Sequence, residues 1–180
     1  LWSYPGIAFC VKAGLMSGTD AHTFAPHAVT TRAQIVQILY NLAGEPAVTG
    51  TTPFTDLTND WYQDAILWAY QTGVVAGTSA TTFDPESPVT REQIAGILMG
   101  YADMVQHLKH TWTPADLSAF PDGASVSDWA QAAMADAVAL ELISGAETDD
   151  GIFLQPQGDA AREQVATILQ SFCGSVMGIS

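Results

Sequence analysis

Three of the five basic residues in this chain hold one repeated place. Arg32 stands in "TTRAQIVQIL", Arg91 in "VTREQIAGIL" and Arg162 in "AAREQVATIL". A guanidinium is a planar, permanently charged fork that can take two carboxylate or phosphate oxygens at once. In the first turn of a helix it is mildly unfavourable, because the free N–H groups there already carry partial positive charge. Two readings account for it. In one, the arginine pairs internally with an acidic neighbour or with carbonyls of the preceding loop. In the other, it joins the helix N-terminal N–H groups to hold an anion. Recurrence favours the anion site, since a local pairing need not appear three times.

The flanking residues have simpler roles. Thr31 with Gln34 and Thr90 with Gln93 fit a capping box, in which the threonine oxygen takes a free N–H and the glutamine reaches back. In the third copy Ala161 replaces the threonine, so the cap is lost or passes to Asp159. The loop pairs Gly18-Thr19 and Gly77-Thr78 either let a ligand approach the backbone closely or form helix-stop turns. Trp2, Trp61 and Trp129 recur at helix starts. They read as apolar anchors between helix and loop, with stacking on a sugar ring as the functional alternative, for which Trp61 is the candidate.

Catalysis finds no support. A glycosidase needs two carboxylates at a defined separation across a cleft, and no pair stands out among the 19 acids. Asp56 and Asp122 read as caps or turn formers. "GAETDDG" (145–151) is acidic but lacks the EF-hand spacing. His107 and His110 lie three apart on an expected helix with no third ligand, which suggests a solvated face. Neither a metal nor a cofactor is expected. Cys10 and Cys173 form no framework or zinc motif. Both fall at small-residue positions of apolar faces and read as buried thiols, with a disulfide between the first and last repeats as the alternative.

Repeats must position the arginines. A shift of 59 residues lays the first third on the second without a gap: Trp2 on Trp61, Gly14 on Gly73, Phe24 and Pro26 on Phe83 and Pro85, Arg32 on Arg91. The final third follows with small insertions, pairing Trp129 with Trp61, Gly145 with Gly77, Phe153 with Phe83 and Arg162 with Arg91. Glu141 falls where Gly73 does. Each unit opens on an aromatic–Asp pair ("FTD" at 54–56, "FPD" at 120–122), which the first copy lacks. A helix, a turn-rich loop and a second helix follow. The segment from Asp103 to Ala119 joins the second and third copies, and its first half is expected to extend a helix. The fold class is mainly α.

The 180 residues, 48% hydrophobic, suffice for one compact domain. Five basic against 19 acidic residues give a net charge of −14. That surface repels nucleic acid and anionic membranes. No apolar run reaches the roughly 18 residues that membrane insertion requires. No signal peptide is visible at Leu1-Trp2, so a fragment of a longer protein is expected.

The order of opener, Trp, paired glycines, Phe-x-Pro and Thr-Arg resembles the S-layer homology module. Its usual Thr-Arg-Ala-Glu appears here as "TRAQ", "TREQ" and "AREQ". The resemblance implies three modules, at 1–45, 52–104 and 118–175, forming a pseudo-threefold bundle with grooves between neighbours. It also implies non-catalytic attachment of a surface protein to an anionic, often pyruvylated, secondary cell-wall polysaccharide, outside the cell. Arg32, Arg91 and Arg162 would be its ligand contacts, with Gly18, Thr19, Gly77, Thr78 and Trp61 beside them. Arg91 is expected to matter more than Arg162, because the third copy departs furthest from the pattern. The alternative is a protein-interaction or self-assembly module whose arginines take acidic groups of a partner.

Overall fold

The computed structural model describes residues 2–19 and 22–179. Each repeat contributes two helices: α1 (Tyr4–Lys12) and α2 (Arg32–Leu42), α3 (Gln63–Gln71) and α4 (Arg91–Met104), α5 (Gln131–Ala139) and α6 (Arg162–Ser171). The second helix of each repeat shows why it starts where it does. Thr31 and Thr90 are extended and accept the N–H of Gln34 and Gln93, while those glutamines take back the N–H of the threonines. At α6 only the returning half survives, from the Ala161 N–H to Gln164. The third cap is therefore lost and does not pass to Asp159.

Gly14 and Gly73 end the first helices in the left-handed region, at φ 71° and 80°. Glu141 takes the same conformation at φ 58°. There an L-residue costs roughly 1–2 kcal/mol more than glycine.

The helices pair across repeats. α2 packs on α3, α4 on α5, and α1 on α6, so the last pair closes the chain into a ring. Backbone hydrogen bonds repeat this closure near the centre. The Thr30 N–H donates to the Ala160 carbonyl at 2.9 Å, the Val89 N–H to Thr30 at 2.8 Å, and the Ala160 N–H to Val89 at 3.1 Å. These residues each lie two positions before α2, α4 or α6, so the repeats meet around a pseudo-threefold axis. Inside, Ile35, Leu39, Ile94, Leu98, Val165 and Leu169 are at most 1% exposed. Each contributes about 1.5–3 kcal/mol by burial. A line of aromatic contacts, Tyr40–Trp68–Tyr101–Phe172, ties all three repeats together.

Three features differ from the sequence reading. α4 runs only two residues into the joining segment, to Met104, and residues 105–116 are irregular, so neither His107 nor His110 is helical. The acidic loop of the third repeat is a hairpin, β1 (Ala146–Thr148) antiparallel to β2 (Gly151–Phe153). The residue equivalent to Phe83 is Leu154, not Phe153. Asp84 and Gln155 share positive φ, each before a proline, and Ala25 does the same before Pro26. The Phe-x-Pro spacing is thus kept in the third repeat, with leucine in place of the ring.

Candidate functional site

Each motif arginine reaches out of its own repeat into the loop of the next. Arg32 Nε donates to the Phe83 carbonyl at 2.9 Å, Arg91 Nε to Leu154 at 2.7 Å, and Arg162 Nε to Phe24 at 3.0 Å. The guanidinium also lies over a ring in two of the three, 4.7 Å from Phe83 for Arg32 and 4.6 Å from Phe24 for Arg162. Leu154 denies Arg91 that contact. Among the described residues no carboxylate comes within ion-pair distance of these arginines. The internal reading was right about carbonyls, but the partner is the neighbouring repeat rather than the preceding loop.

The helix N-termini are not free to take an anion. The N–H groups of Arg32 and Ala33 donate to Ser87 and Pro85, those of Arg91 and Glu92 to Gly158 and Pro156, and those of Arg162 and Glu163 to Ala28 and Pro26. The loops are fixed in turn by the opener aspartates. Asp56 accepts the N–H groups of Phe83 and Asp84, and Asp122 those of Leu154 and Gln155. Desolvation pushes the Asp56 carboxyl up, but the N–H groups of Phe83 and Asp84, with Arg32 nearby, outweigh it and hold the pKa below normal. Burial lowers the pKa of all three arginines, with Asp84 and Asp56 opposing this at Arg32 and Asp122 at Arg91. A guanidinium remains charged at neutral pH regardless.

Beyond Nε the arginines differ. Arg162 Nη2 donates to the Ser17 carbonyl at 2.6 Å. The Nη groups of Arg32 hydrogen-bond no described residue, and Arg32 lines a groove of about 920 Å³. Its floor is α4, where Gly96 and Gly100 stand one turn apart. One wall is the loop 73–78, including Gly77 and Thr78, and the other is α5 with Trp129. Gly77, at φ 84°, cannot carry a side chain: a Cβ would lie 2.5 Å from the Phe54 ring and 2.7 Å from the Thr82 carbonyl. Thr78 is turned inward to the loop, donating to the Thr82 carbonyl, as Thr19 does to Thr23.

The sequence-predicted residues therefore separate. Arg32, Gly77 and Thr78 share the α4 groove. Arg162 reaches the loop that carries Gly18 and Thr19 through its bond to Ser17, and the turn carrying Trp61 packs on α2. Arg91 belongs to the α6 junction. Trp2, Trp61 and Trp129 are 64%, 51% and 61% exposed, which overturns their reading as apolar anchors. Both cysteines are free and buried, and burial, reinforced by Cys173, pushes the Cys10 thiol up to about 12. Among the described residues no cluster of His, Cys, Asp or Glu could hold a metal ion.

One group escaped the sequence reading. His110, on the irregular segment after α4, lies between Asp103 of α4 and Asp136 of α5 at the end of the groove, with Nε2 at 2.5 Å and Nδ1 at 3.4 Å. Trp112 stacks on it at 4.6 Å and donates to Asp136 at 2.9 Å. The expected solvated helix face is thus an ion-paired clip. No spacing rule links residues 103, 110 and 136, so the sequence held no signal for it.

Comparison with known proteins agrees with this geometry. The sequence profile of the S-layer homology domain matches residues 1–36, 53–95 and 119–166. An endoglucanase of Bacillus sp. (strain KSM-635) is 33% identical over 97% of this chain, which covers 18% of that protein. The surface-layer 125 kDa protein of Lysinibacillus sphaericus is 32% identical over 88% of the chain and 13% of its own length. An amylopullulanase of Thermoanaerobacterium thermosulfurigenes is 28% identical over 93% of the chain and 9% of its own length. The chain thus spans less than a fifth of each of these relatives. Three matched segments, each with its helix pair and motif arginine, make this chain a tandem of the S-layer homology domain family.

Proposed function

We propose that this chain is a non-catalytic anchoring module that binds secondary cell-wall polysaccharide and holds a surface protein on the bacterial cell envelope. The ligand is an acidic glycan, with a pyruvate-ketal carboxylate as the group recognised. The relatives support this reading, because a surface-layer protein and two enzymes of different activity share the segment, which covers 18% or less of each. Among the described residues no helix is long and apolar enough to cross a membrane.

The observation that carries the proposal is the α4 groove. It offers the unpaired Nη groups of Arg32 as a carboxylate fork, an exposed Trp129 as a ring platform, and a glycine floor. Arg32 takes the leading role here, because each arginine works with the loop of the following repeat. Arg91 and Arg162, with Gly18, Thr19 and Trp61, form the secondary sites. The test is a pull-down with purified wall polysaccharide before and after mild acid removal of ketal groups. Retention of the untreated glycan and loss of the treated one is expected. Equal retention of both removes the carboxylate from the account, and retention of neither removes the glycan.

A further inference from the structure

The charges lining the α4 groove nearly cancel. Arg32 is its permanent cation, His110 a second one when protonated, and Asp103 and Asp136 are its anions. His110 faces a carboxylate with each ring nitrogen, Asp103 through Nε2 and Asp136 through Nδ1. A neutral imidazole has one N–H and one bare lone pair, so it can donate to only one of them. The geometry satisfies both carboxylates only with the imidazolium. Asp136 is 8% exposed and accepts a hydrogen bond from Trp112, so it is poorly placed to turn toward water. Lys109, next in sequence, is exposed and forms no ion pair among the described residues. The cations within the groove are therefore Arg32 and His110.

We infer that His110 is a specificity-determining residue of the α4 groove, whose positive charge balances Asp103 and Asp136 and lets the groove accept an anionic glycan. This rests on the anchoring reading above. Loss of the His110 proton leaves the groove with one net negative charge, and a like-charged ligand is then repelled. It also weakens the ion-paired clip that joins α4 to α5 across the groove's end. The hydrogen bond to Asp103 is the largest influence on the imidazole, and both carboxylates hold its pKa above the ordinary value, which places the change on the alkaline side of about pH 6.5. Affinity is thus complete in mild acid and falls as pH rises through the folded value.

The experiment uses the whole chain and an acidic secondary wall polysaccharide, purified from a Gram-positive bacterium and immobilised. Affinity is measured from about pH 5 to about pH 9, a range that spans imidazole titration. The His110 ring is followed by NMR over the same range. His110→Gln, checked for fold by circular dichroism, is the companion variant. Wild-type affinity should fall about fivefold, the size expected for one partly exposed charge contact. The midpoint should coincide with the ring titration, and the variant should bind weakly and without that pH dependence. Binding that is flat with pH, or a fall that persists in His110→Gln, overturns the inference and leaves the anchoring reading intact. Absence of binding at every pH overturns both.

Discussion

The floor of the α4 groove and the junction between α1 and α6 are built from equivalent residues, yet one is open and the other tight. On α4 the floor carries Gly96 and Gly100. The same positions are Thr167 and Ser171 on α6, and Gln37 and Asn41 on α2, where the pair bonds to itself at 2.8 Å. The facing helix reverses the pattern. α5 presents Ala133 to the groove, whereas α1 presents Gly6, so close to α6 that a Cβ would lie 2.8 Å from Thr167 Cα and 3.0 Å from the Ala166 carbonyl carbon. Gly96 on the floor helix keeps a side chain out of the groove, Gly100 lets the loop approach so that a Cβ would lie 3.2 Å from the Val74 carbonyl oxygen, and Gly6 on the wall helix lets two helix backbones meet. The repeated motif supplies an arginine to every junction. Residues outside the motif decide which junction has room to use it.

That contrast can be broken from the tight side first. Gly6→Val should cost about 3 kcal/mol, because its Cβ meets backbone rather than a movable side chain. Urea denaturation measures it, and a loss under about 1 kcal/mol would mean that α1 and α6 are not locked.

From the open side, Gly96→Gln copies the α2 floor into α4. A Cβ there lies 3.3 Å from Trp129 Cζ3, which an exposed ring can yield. Affinity for the wall polysaccharide should drop about tenfold, or 1.4 kcal/mol, with the melting temperature little changed. Unaltered binding would place the ligand elsewhere.

Thr90→Ala should lower stability by about 1 kcal/mol through the lost cap and change affinity only slightly. The third repeat supports this, because α6 forms on Ala161 without that bond. A large affinity loss at unchanged stability would make Thr90 a ligand contact.

The smallest effect is expected at His110. Its folded pKa is raised, so its contribution to stability is full below the unfolded value of about 6.5 and disappears as pH climbs through the folded one. Melting temperatures above and below that window should differ slightly in the parent and not in His110→Gln.

Much of this was legible in the sequence. The capping boxes at Thr31 and Thr90, the six helices and the triple arginine are local patterns with a fixed spacing. What escaped depends on contacts between distant segments. That Arg32 binds Phe83 rather than its own loop follows from cyclic packing, which a repeat alignment cannot distinguish from packing within each unit. The β1–β2 insertion shifts the repeat alignment by one residue, which puts Phe153 where the structure has Leu154. The three tryptophans looked like anchors because large aromatics usually bury, whereas these line junctions whose other side is solvent. His110 joined the site through a turn at His107, φ 50°, in a segment that reads as helix continuation.

The most direct measurement is calorimetric affinity for pyruvylated wall polysaccharide in the parent, Arg32→Ala, Arg32→Lys, Arg91→Ala and Arg162→Ala, each checked for fold by circular dichroism. Arg32→Ala should lose on the order of 2–4 kcal/mol, the worth of a sheltered charged contact. Arg32→Lys should recover part of the charge but not the two-pronged geometry. Arg162→Ala and Arg91→Ala should each lose less, since Ser17 already occupies Arg162 and Arg91 lacks the ring contact that orients the Arg32 guanidinium. Equal losses at all three positions, or parental affinity in a folded Arg32→Ala, would contradict the claim that the α4 groove is the binding site.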